Sequence, residues 1–418
     1  MNPIICPGVE MNIYTRQFGV ALTLSVLIGC TSPAKPTNTL AVVTPSSQTV
    51  TPLTAVPATT DPIPTTLVAN PSSVGSIQPA QSMQIARAAH AAALLADGQL
   101  LITGGFGQGE NTYAATAELY DSMTGDFSFT GKMEMGRCCH TATRLGDGRV
   151  LIAGGFNGTY LASAELYDPR TGSFATISPL TTPRMGHAAV LLDNDKVLLV
   201  GGVGTGWTFL ASAELYDPAT GTFTPTDAMT VARESHTITK LQDGRVLITG
   251  GHQGRHSAIT IYDSAEIYDS VTGTFAPTGN MNKQRHKHDA VLLSDGRVLI
   301  TGGSDRRDDQ GAYASAEIYD PSTGAFSLAG TMPTSRYKHM GTSLALKNGN
   351  ILIAGGARNA IIYDPERNVF SVIPSDLGTA TLSRLFATAT LLPSGNVLIA
   401  GGYGIGQEVS AQTWVYTP

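Results

Sequence analysis

Short apolar runs recur along the chain at intervals of roughly 50 residues. One copy, RVLIAGG at residues 149–155, is unbroken, rich in β-branched residues and too short for a helix, so it predicts a buried strand. An Asp-Gly turn joins it to a preceding strand, HTATRL at 140–145. The segment SAELYDP at 163–169 alternates in polarity and predicts a third strand. A Thr-Gly turn then leads into a fourth strand that contains Phe174.

This four-stranded unit is present seven times, and a repeat of this length is typical of propeller blades. One unit cannot bury both of its faces, so units packed in a ring are the stable arrangement. The sequence therefore predicts an all-β, seven-bladed β-propeller. Each unit opens on an arginine, and the seven are Arg87, Arg137, Arg184, Arg233, Arg285, Arg336 and Arg384. Each second strand ends on a glycine pair that serves backbone geometry or close packing, namely Gly104 and Gly105, Gly154 and Gly155, Gly201 and Gly202, Gly250 and Gly251, Gly302 and Gly303, Gly355 and Gly356, and Gly401 and Gly402.

The glycine pair, the tyrosine of the third strand and the aromatic residue of the fourth together resemble the kelch repeat. In the second copy these aromatic residues are Tyr167 and Phe174, where the family usually has Trp at the latter position. The resemblance covers roughly residues 77–418 and implies a propeller like the central one of galactose oxidase-like proteins. Its implications for function are wide, because kelch propellers serve as adaptors, ligand binders and enzymes.

Both ends of the repeat region are predicted to share one blade. The last copy stops after its third strand, TWVYTP at 413–418. Ile77 and Met83 stand before Arg87 at the offsets that the aromatic residue and methionine of other fourth strands keep from their arginines. The N-terminal segment should therefore supply the missing strand, closing the ring and removing its free edges.

The chain before the repeats has the composition of a leader and a tether. Arg16 precedes an apolar run at 18–28, which is too short to span a bilayer and resembles a signal-peptide core. It ends in LIGC, which resembles a bacterial lipobox, so residues 1–29 are predicted to be a lipoprotein signal peptide with Met11 as its start and Cys30 as the lipidated residue. An ordinary secretory signal with a chance cysteine is the alternative. Residues 30–73, rich in Thr, Pro and Ser, would be a linker to a propeller at 74–418.

These features predict an exported protein, lipid-anchored to the bacterial cell envelope at the outer membrane or the cell surface. The formal net charge of −6 gives no basic excess, so we expect no nucleic-acid partner. We also expect a monomer without cofactors. Of four cysteines, only Cys138 and Cys139 fall within the repeats, and no metal-finger spacing occurs. We interpret this pair as two small residues filling a strand.

Residues repeated in every blade are interpreted as structural, although a ring of arginines at a channel mouth could also bind anions. Candidate salt-bridge partners for the arginines recur in the third strands, as Glu118, Glu165, Glu214, Glu266 and Glu317. A histidine follows most of the arginines, as His90, His140, His187, His236, His288 and His339.

Departures from the repeat are more informative about binding, because variable loops on a rigid scaffold usually carry it. They cluster in the fourth to sixth copies. The candidate ligand-binding residues are His252, Arg255, His256, Lys283, His286, Lys287, Arg306, Arg307 and Lys338. A carboxylate or sugar ligand would suit this basic set. A metal site among His252, His256, His286 and His288 is a weaker alternative, and an ordinary solvated face is another.

Two enzyme families share the repeat. Galactose oxidase-like proteins hold copper with two Tyr, two His and a Tyr–Cys cross-link, and a further domain supplies one ligand; the adjacent cysteines here argue against that set. Secreted sialic-acid mutarotases use acid/base groups at the propeller mouth, which the His and Asp of the fourth and fifth copies could supply. We predict no catalytic residues, and we favour a binding or interaction module for a protein or carbohydrate ligand over a sugar-active enzyme.

Overall fold

A computed structural model describes residues 74–109, 112–376, 384–404, 406 and 408–418. Seven antiparallel sheets of four strands make up most of this part of the chain. The predicted all-β, seven-bladed propeller is therefore confirmed. The predicted signal peptide, Cys30 and the linker lie outside the described residues.

The strands follow the predicted order, and each blade except the last takes its four strands from one continuous stretch of the chain. The described chain begins with β1 (Ser76–Ala80). Blades one to three contain β2 (Ala91–Leu94), β3 (Leu100–Thr103), β4 (Ala117–Tyr120), β5 (Phe127–Phe129), β6 (Thr141–Arg144), β7 (Val150–Ala153), β8 (Ala164–Asp168), β9 (Ser173–Ile177), β10 (Ala188–Leu191), β11 (Val197–Val200), β12 (Val203–Gly204), β13 (Thr208–Phe209), β14 (Ala213–Asp217) and β15 (Thr222–Pro225). Blades four to seven contain β16 (Thr237–Lys240), β17 (Val246–Thr249), β18 (His252–Gln253), β19 (Thr260–Ile261), β20 (Ala265–Asp269), β21 (Thr274–Pro277), β22 (Asp289–Leu292), β23 (Val298–Thr301), β24 (Tyr313–Asp320), β25 (Ala325–Arg336), β26 (Ser343–Ala345), β27 (Ile351–Ile353), β28 (Asn359–Asp364), β29 (Val369–Asp376), β30 (Thr388–Leu391), β31 (Val397–Ala400) and β32 (Thr413–Thr417).

The loops between the second and third strands of blades three to five carry extra structure. In blades three and four they form small two-stranded ribbons, β12 with β13 and β18 with β19. Short 3₁₀ turns lie in the same loops, at Thr205–Trp207, His256–Ala258 and Asp308–Gly311. Most of the sequence-predicted binding residues lie in or beside these loops.

The closing blade is built from both ends of the repeat region, as predicted. Its strand order is β1-β32-β31-β30. In the antiparallel β1–β32 pair, Ile77 lies opposite Tyr416. The hydroxyl of Thr413 also donates to the carbonyl of Gln81 over 2.7 Å. The fourth strand that the last copy lacks is thus supplied by β1, and no blade is left with three strands.

The apolar core lies between neighbouring blades. The second strand of every blade is buried along its whole length, as in β7. Between blades one and two, Leu101 packs with Ile152 and Tyr167. The glycine pairs sit where these blades meet: Gly104 has a φ of +63°, and a Cβ there would overlap the carbonyl oxygen of Arg137 in the next blade. A side chain at Gly104 would therefore prevent this close approach of the two blades.

Candidate functional site

The repeated arginines are buried and bonded within their own blades. Arg137 is typical: its Nη2 lies 2.7 Å from Glu165 Oε1 and its Nη1 donates to the carbonyls of Gly154 and Ser163. The same carboxylate accepts the backbone N–H of Glu134, which enters from the preceding blade. The equivalent ion pairs are Arg87 with Glu118, Arg184 with Glu214, Arg233 with Glu266 and Arg285 with Glu317. The side chains of these pairs are buried from solvent, so they stabilise the blades and are not accessible to a ligand.

Blades six and seven depart from this pattern. Arg336 donates to the carbonyls of Ile353, Gly355 and Asn359. Arg384 donates to Gln412 Oε1 and stacks over Trp414, with its Cζ 4.0 Å from the ring centre. Burial lowers the pKa of Arg336 to about 9 and that of Arg384 to about 10.

Most of the repeated histidines link one blade to the preceding one. His140 Nε2 lies 2.9 Å from Thr103 Oγ1, and His288 Nε2 lies 3.0 Å from Thr249 Oγ1. Burial, followed by the charge of the nearby Arg87, lowers the pKa of His90 to about 3. Burial likewise holds the pKa of His140 and His288 well below the usual value. These side chains are neutral at pH 7 and act as hydrogen-bonding clamps.

The blades meet at a ring of residues that we call the hub. Its members stand two positions after each repeated arginine and all have a left-handed backbone, and they are Ala89, Cys139, Gly186, Ser235, Lys287, Lys338 and Phe386. Each N–H donates to the carbonyl of the preceding member over 2.8–3.1 Å at six of the seven junctions. The junction between Gly186 and Ser235 lacks this bond among the described residues, and the carboxylate of Glu234 lies against Gly186 there.

Two hub lysines share one buried carboxylate, and we call this group the charge cluster. Lys287 Nζ lies 2.8 Å from one oxygen of Asp308, and Lys338 Nζ lies 3.3 Å from the other. Lys338 Nζ also donates to the hydroxyl of Tyr403 over 3.2 Å. Burial and the neighbouring Lys338 lower the pKa of Lys287. Burial acts to raise the pKa of Asp308, but the two ammonium groups outweigh it and the pKa lies below its usual value.

A second chain of buried polar groups runs beside the charge cluster, and we call it the histidine relay. Glu234 Oε2 lies 3.3 Å from His252 Nε2, and His252 Nδ1 lies 3.1 Å from His286 Nδ1. His286 Nε2 lies 3.4 Å from the carbonyl of Asp305. Burial, then the charge of Lys287, lowers the pKa of His252 to about 3 and holds that of His286 well below its usual value.

Donor and acceptor chemistry assigns the tautomers of the two histidines in the relay. A carbonyl only accepts, so His286 Nε2 carries its hydrogen and its Nδ1 is bare. His252 Nδ1 must then donate to it, which leaves His252 Nε2 bare as well. That nitrogen lies 3.3 Å from a carboxylate oxygen of Glu234.

Arg255 and Arg306 line a small cavity together with His252, His286 and Asp308. We call these two arginines, with the exposed residues His256, Lys283 and Arg307 of the same and neighbouring blades, the rim. The guanidinium of Arg255 stacks on Trp207, with Cζ 3.5 Å from the ring centre. Lys283 Nζ lies 4.8 Å from the ring centre of Tyr313. Arg307 forms an ion pair with Asp305, with Nη2 2.6 Å from Oδ2.

The predicted binding residues therefore divide into two groups. Lys287, Lys338, His252 and His286 are buried and bonded to one another or to Asp308, whereas the rim residues reach the surface. His288 does not join His252 and His286, because its ring turns to the threonines of blade four. His256 is exposed. Of the four histidines weighed as a metal site, His252 and His286 are therefore in contact, whereas His256 and His288 lie apart from them.

Two cavities adjoin the relay. A small one of about 40 Å³ lies under the rim and is lined by Trp207, His252 and Asp308. A larger one of about 410 Å³ lies at the hub and is lined by His90, His187 and Asp289. Glu234 lines both cavities.

Sequence reasoning missed Glu234, Trp207 and Tyr403 as members of this site. Glu234 follows Arg233 at a position that is otherwise Ala, Cys, Met, His, Tyr or Leu. The presence of an acidic residue at this position in one copy of the repeat was the sequence feature that could have identified Glu234. Trp207 and Tyr403 lie in or beside loops that differ between blades, so no comparison of copies could pick them out.

Comparisons with known proteins agree with the fold. The Kelch motif matches residues 137–181, 184–230 and 290–333. The chain therefore carries Kelch motifs on a seven-bladed β-propeller. A curated F-box/kelch-repeat protein of Arabidopsis thaliana is 26% identical over 146 residues, covering 29% of this chain and 30% of that protein. This chain thus spans less than a third of that relative's length.

Two solved structures resemble this propeller. A fungal alcohol oxidase of the AA5 family, solved in complex with copper, has a TM-score of 0.65 at 17% identity and covers 83% of this chain and 77% of its own. The structure of YjhT has a TM-score of 0.55 at 13% identity and covers 70% of this chain and 99% of its own. At these identities the likeness concerns the fold alone.

The residues at the hub of this propeller do not fit a copper centre. Within the described ranges, no three His, Cys, Asp or Glu side chains lie close enough together to hold a metal ion. Lys287 and Lys338 also place two ammonium groups beside the histidine relay, which opposes a bound cation.

No helix in the described part of the chain is long and apolar enough to cross a membrane.

Proposed function

We propose that this protein is an exported, lipid-anchored binding module whose ligand site is the rim of blades four to six. The ligand is a protein or glycan that carries acidic groups. The supporting observation is the contrast between the buried and exposed charges. Lys287 and Lys338 are buried and already paired with Asp308, whereas the rim presents Arg255, Lys283 and Arg306 at the surface, together with Arg307, which pairs with Asp305.

The chemistry of the rim favours an acidic ligand over a neutral sugar. A neutral sugar commonly stacks on an open aromatic face, but Arg255 covers a face of Trp207 and Tyr160 meets that ring edge-on. Guanidinium groups instead bind carboxylates and phosphates with paired hydrogen bonds. A cationic rim on a rigid ring of blades therefore suits an acidic peptide segment or an acidic glycan.

A binding screen tests this proposal. The protein from residue 72 onward is applied to a glycan array and to a peptide array, each containing acidic and matched neutral members. We expect acidic members of one array to bind, with affinity that falls as salt rises. Equal binding of acidic and neutral members, or no salt dependence, would count against the rim as the site.

One observation favours a second candidate function, acid/base catalysis on a small sugar. Glu234 contacts His252, which in turn contacts His286, and it borders the cavity of about 410 Å³, which could admit a monosaccharide. In that case the purified, metal-free protein would interconvert sugar anomers, and Glu234→Gln and His286→Ala would abolish the turnover. Binding to the rim without any turnover would leave the binding module as the function.

A further inference from the structure

Cys138 and Cys139 bring two thiols into contact at the hub of blade two. In an extended strand, consecutive side chains point to opposite faces. Cys139 has a φ of +56°, which interrupts that alternation. As a result the two sulfur atoms lie 3.3 Å apart. The corresponding pairs in the other blades share this backbone shape but carry different side chains, so the dithiol is particular to blade two.

The two thiols differ in their access to a reagent. Cys138 is 0% exposed and packs among the apolar residues above the hub, including Phe156 and Met185. Cys139 is half-buried and lines the cavity of about 410 Å³. A small reagent that enters the cavity therefore meets Cys139 first.

We propose that Cys138 and Cys139 are a redox-active pair, which a low-molecular-weight disulfide converts into a disulfide between neighbouring residues. The thiolate of Cys139 attacks one sulfur of the oxidant and releases the first thiolate, leaving a mixed disulfide on Cys139. The thiol of Cys138 then attacks the Cys139 sulfur and releases the second thiolate. The two protons lost by the cysteines go to the released thiolates. The pair is oxidised by two electrons and the oxidant is reduced to two thiols.

A disulfide at this place is easily reversed. Consecutive Cα atoms are about 3.8 Å apart, below the usual separation of about 4.4–6.8 Å for bridged cysteines. A bridge formed under such strain is reduced more readily than a relaxed one. The strain also acts on the hub, because the N–H of Cys139 donates to Ala89 and its carbonyl accepts from Gly186, both over 3.0 Å. Oxidation therefore changes the wall of the central cavity.

Peptide mapping of the full chain tests this proposal. The folded protein is incubated with oxidised glutathione, alkylated in denaturant and digested. We expect the peptide that spans Cys138 and Cys139 to be unalkylated and lighter by two hydrogens, and to be restored by dithiothreitol. Cys6 and Cys30 lie far from this pair in sequence, so their peptides are read separately.

Two single variants test the order of attack. In Cys138→Ser, we expect a persistent glutathione adduct on Cys139, because no neighbouring thiol can displace it. In Cys139→Ser, we expect Cys138 to stay reduced until the protein is unfolded. Two free thiols in the oxidised wild type, a bridge to a second chain, or equal glutathione uptake by the two variants would each overturn the proposal.

Discussion

Arg184 Nη2 lies 2.7 Å from Glu214 Oε1, and neither side chain is more than 1% exposed. Removing one member leaves the other charge buried without its partner. We expect Arg184→Met to lower the free energy of unfolding by about 3–5 kcal/mol, measured by denaturant titration. Arg170→Met is the control, because Arg170 pairs with Asp168 at the surface and its loss should change stability little. Equal losses in the two variants would contradict a framework role for Arg184.

The closing blade predicts a sharp dependence on where the chain starts. A chain that begins at Arg87 lacks β1, so β32 loses its partner and the sheet gains an open edge. We expect this chain to melt at a markedly lower temperature or to aggregate. A chain that begins at residue 72 should match the full protein in thermal melting. Similar melting of the two truncated chains would mean that β1 contributes little to ring closure.

The fold could be predicted because the same pattern of strands, turns and glycine pairs occurs seven times in the sequence. An Asp-Gly turn or a glycine pair is weak evidence in one copy, but its return at a constant offset identifies the blade and its strand order. Even the closing strand was predictable, because Ile77 and Met83 keep the offsets of the repeat.

The candidate site was only partly predictable, because it depends on contacts between different blades. Asp308 joins Lys287 of blade five to Lys338 of blade six, and it does so from an irregular loop with no counterpart in the repeat. Glu234 and His286 likewise come from neighbouring blades and meet through His252. Residues that break a repeat can be found in a sequence, but their partners cannot be read from its period.

The buried histidines predict a loss of stability in acid. The pKa of His90 falls from 6.5 to about 3 on folding, so between these values the unfolded chain binds more protons than the folded one. Stability should therefore fall as the pH drops below 6.5, by about 1.4 kcal/mol per pH unit for each such proton. His90→Gln should reduce that slope by nearly one proton in denaturant titrations from pH 6 to 4. Above pH 7 the slopes of variant and wild type should agree, and an unchanged slope below pH 6 would show that His90 takes up a proton without unfolding.

The rim can be tested with a closely matched pair of arginines. Arg307 and Arg170 are both exposed, and each forms an ion pair with the aspartate two positions before it in the sequence. Arg307 lies on the rim, whereas Arg170 lies in a Thr-Gly turn of blade two. We expect Arg307→Ala together with Arg306→Ala to weaken ligand binding several-fold in titration calorimetry, and Arg170→Ala to leave it unchanged. If all of these variants bind like the wild type, the ligand site is elsewhere.

The proposed lipid anchor depends on one cysteine. Cys30→Ser should abolish metabolic labelling with a palmitate analogue and should release the protein from membranes or stall its processing. Cys6→Ser, in the segment before Met11, is the control and should leave the labelling intact. Labelling that persists in Cys30→Ser would refute the lipobox interpretation.

The order in which this chain is synthesised gives the closing blade a further consequence. The Tyr416 hydroxyl donates to the carbonyl of Val74, although the two residues stand 342 positions apart. A ribosome that adds about 5–20 residues per second needs roughly 20–70 s to make the chain between them. Throughout that time β32 is not yet made, so the first strand of the described chain is the last to pair. A chain cut short before β32 can never complete the circle, and its two open edges mark it for aggregation or for degradation by cellular proteases.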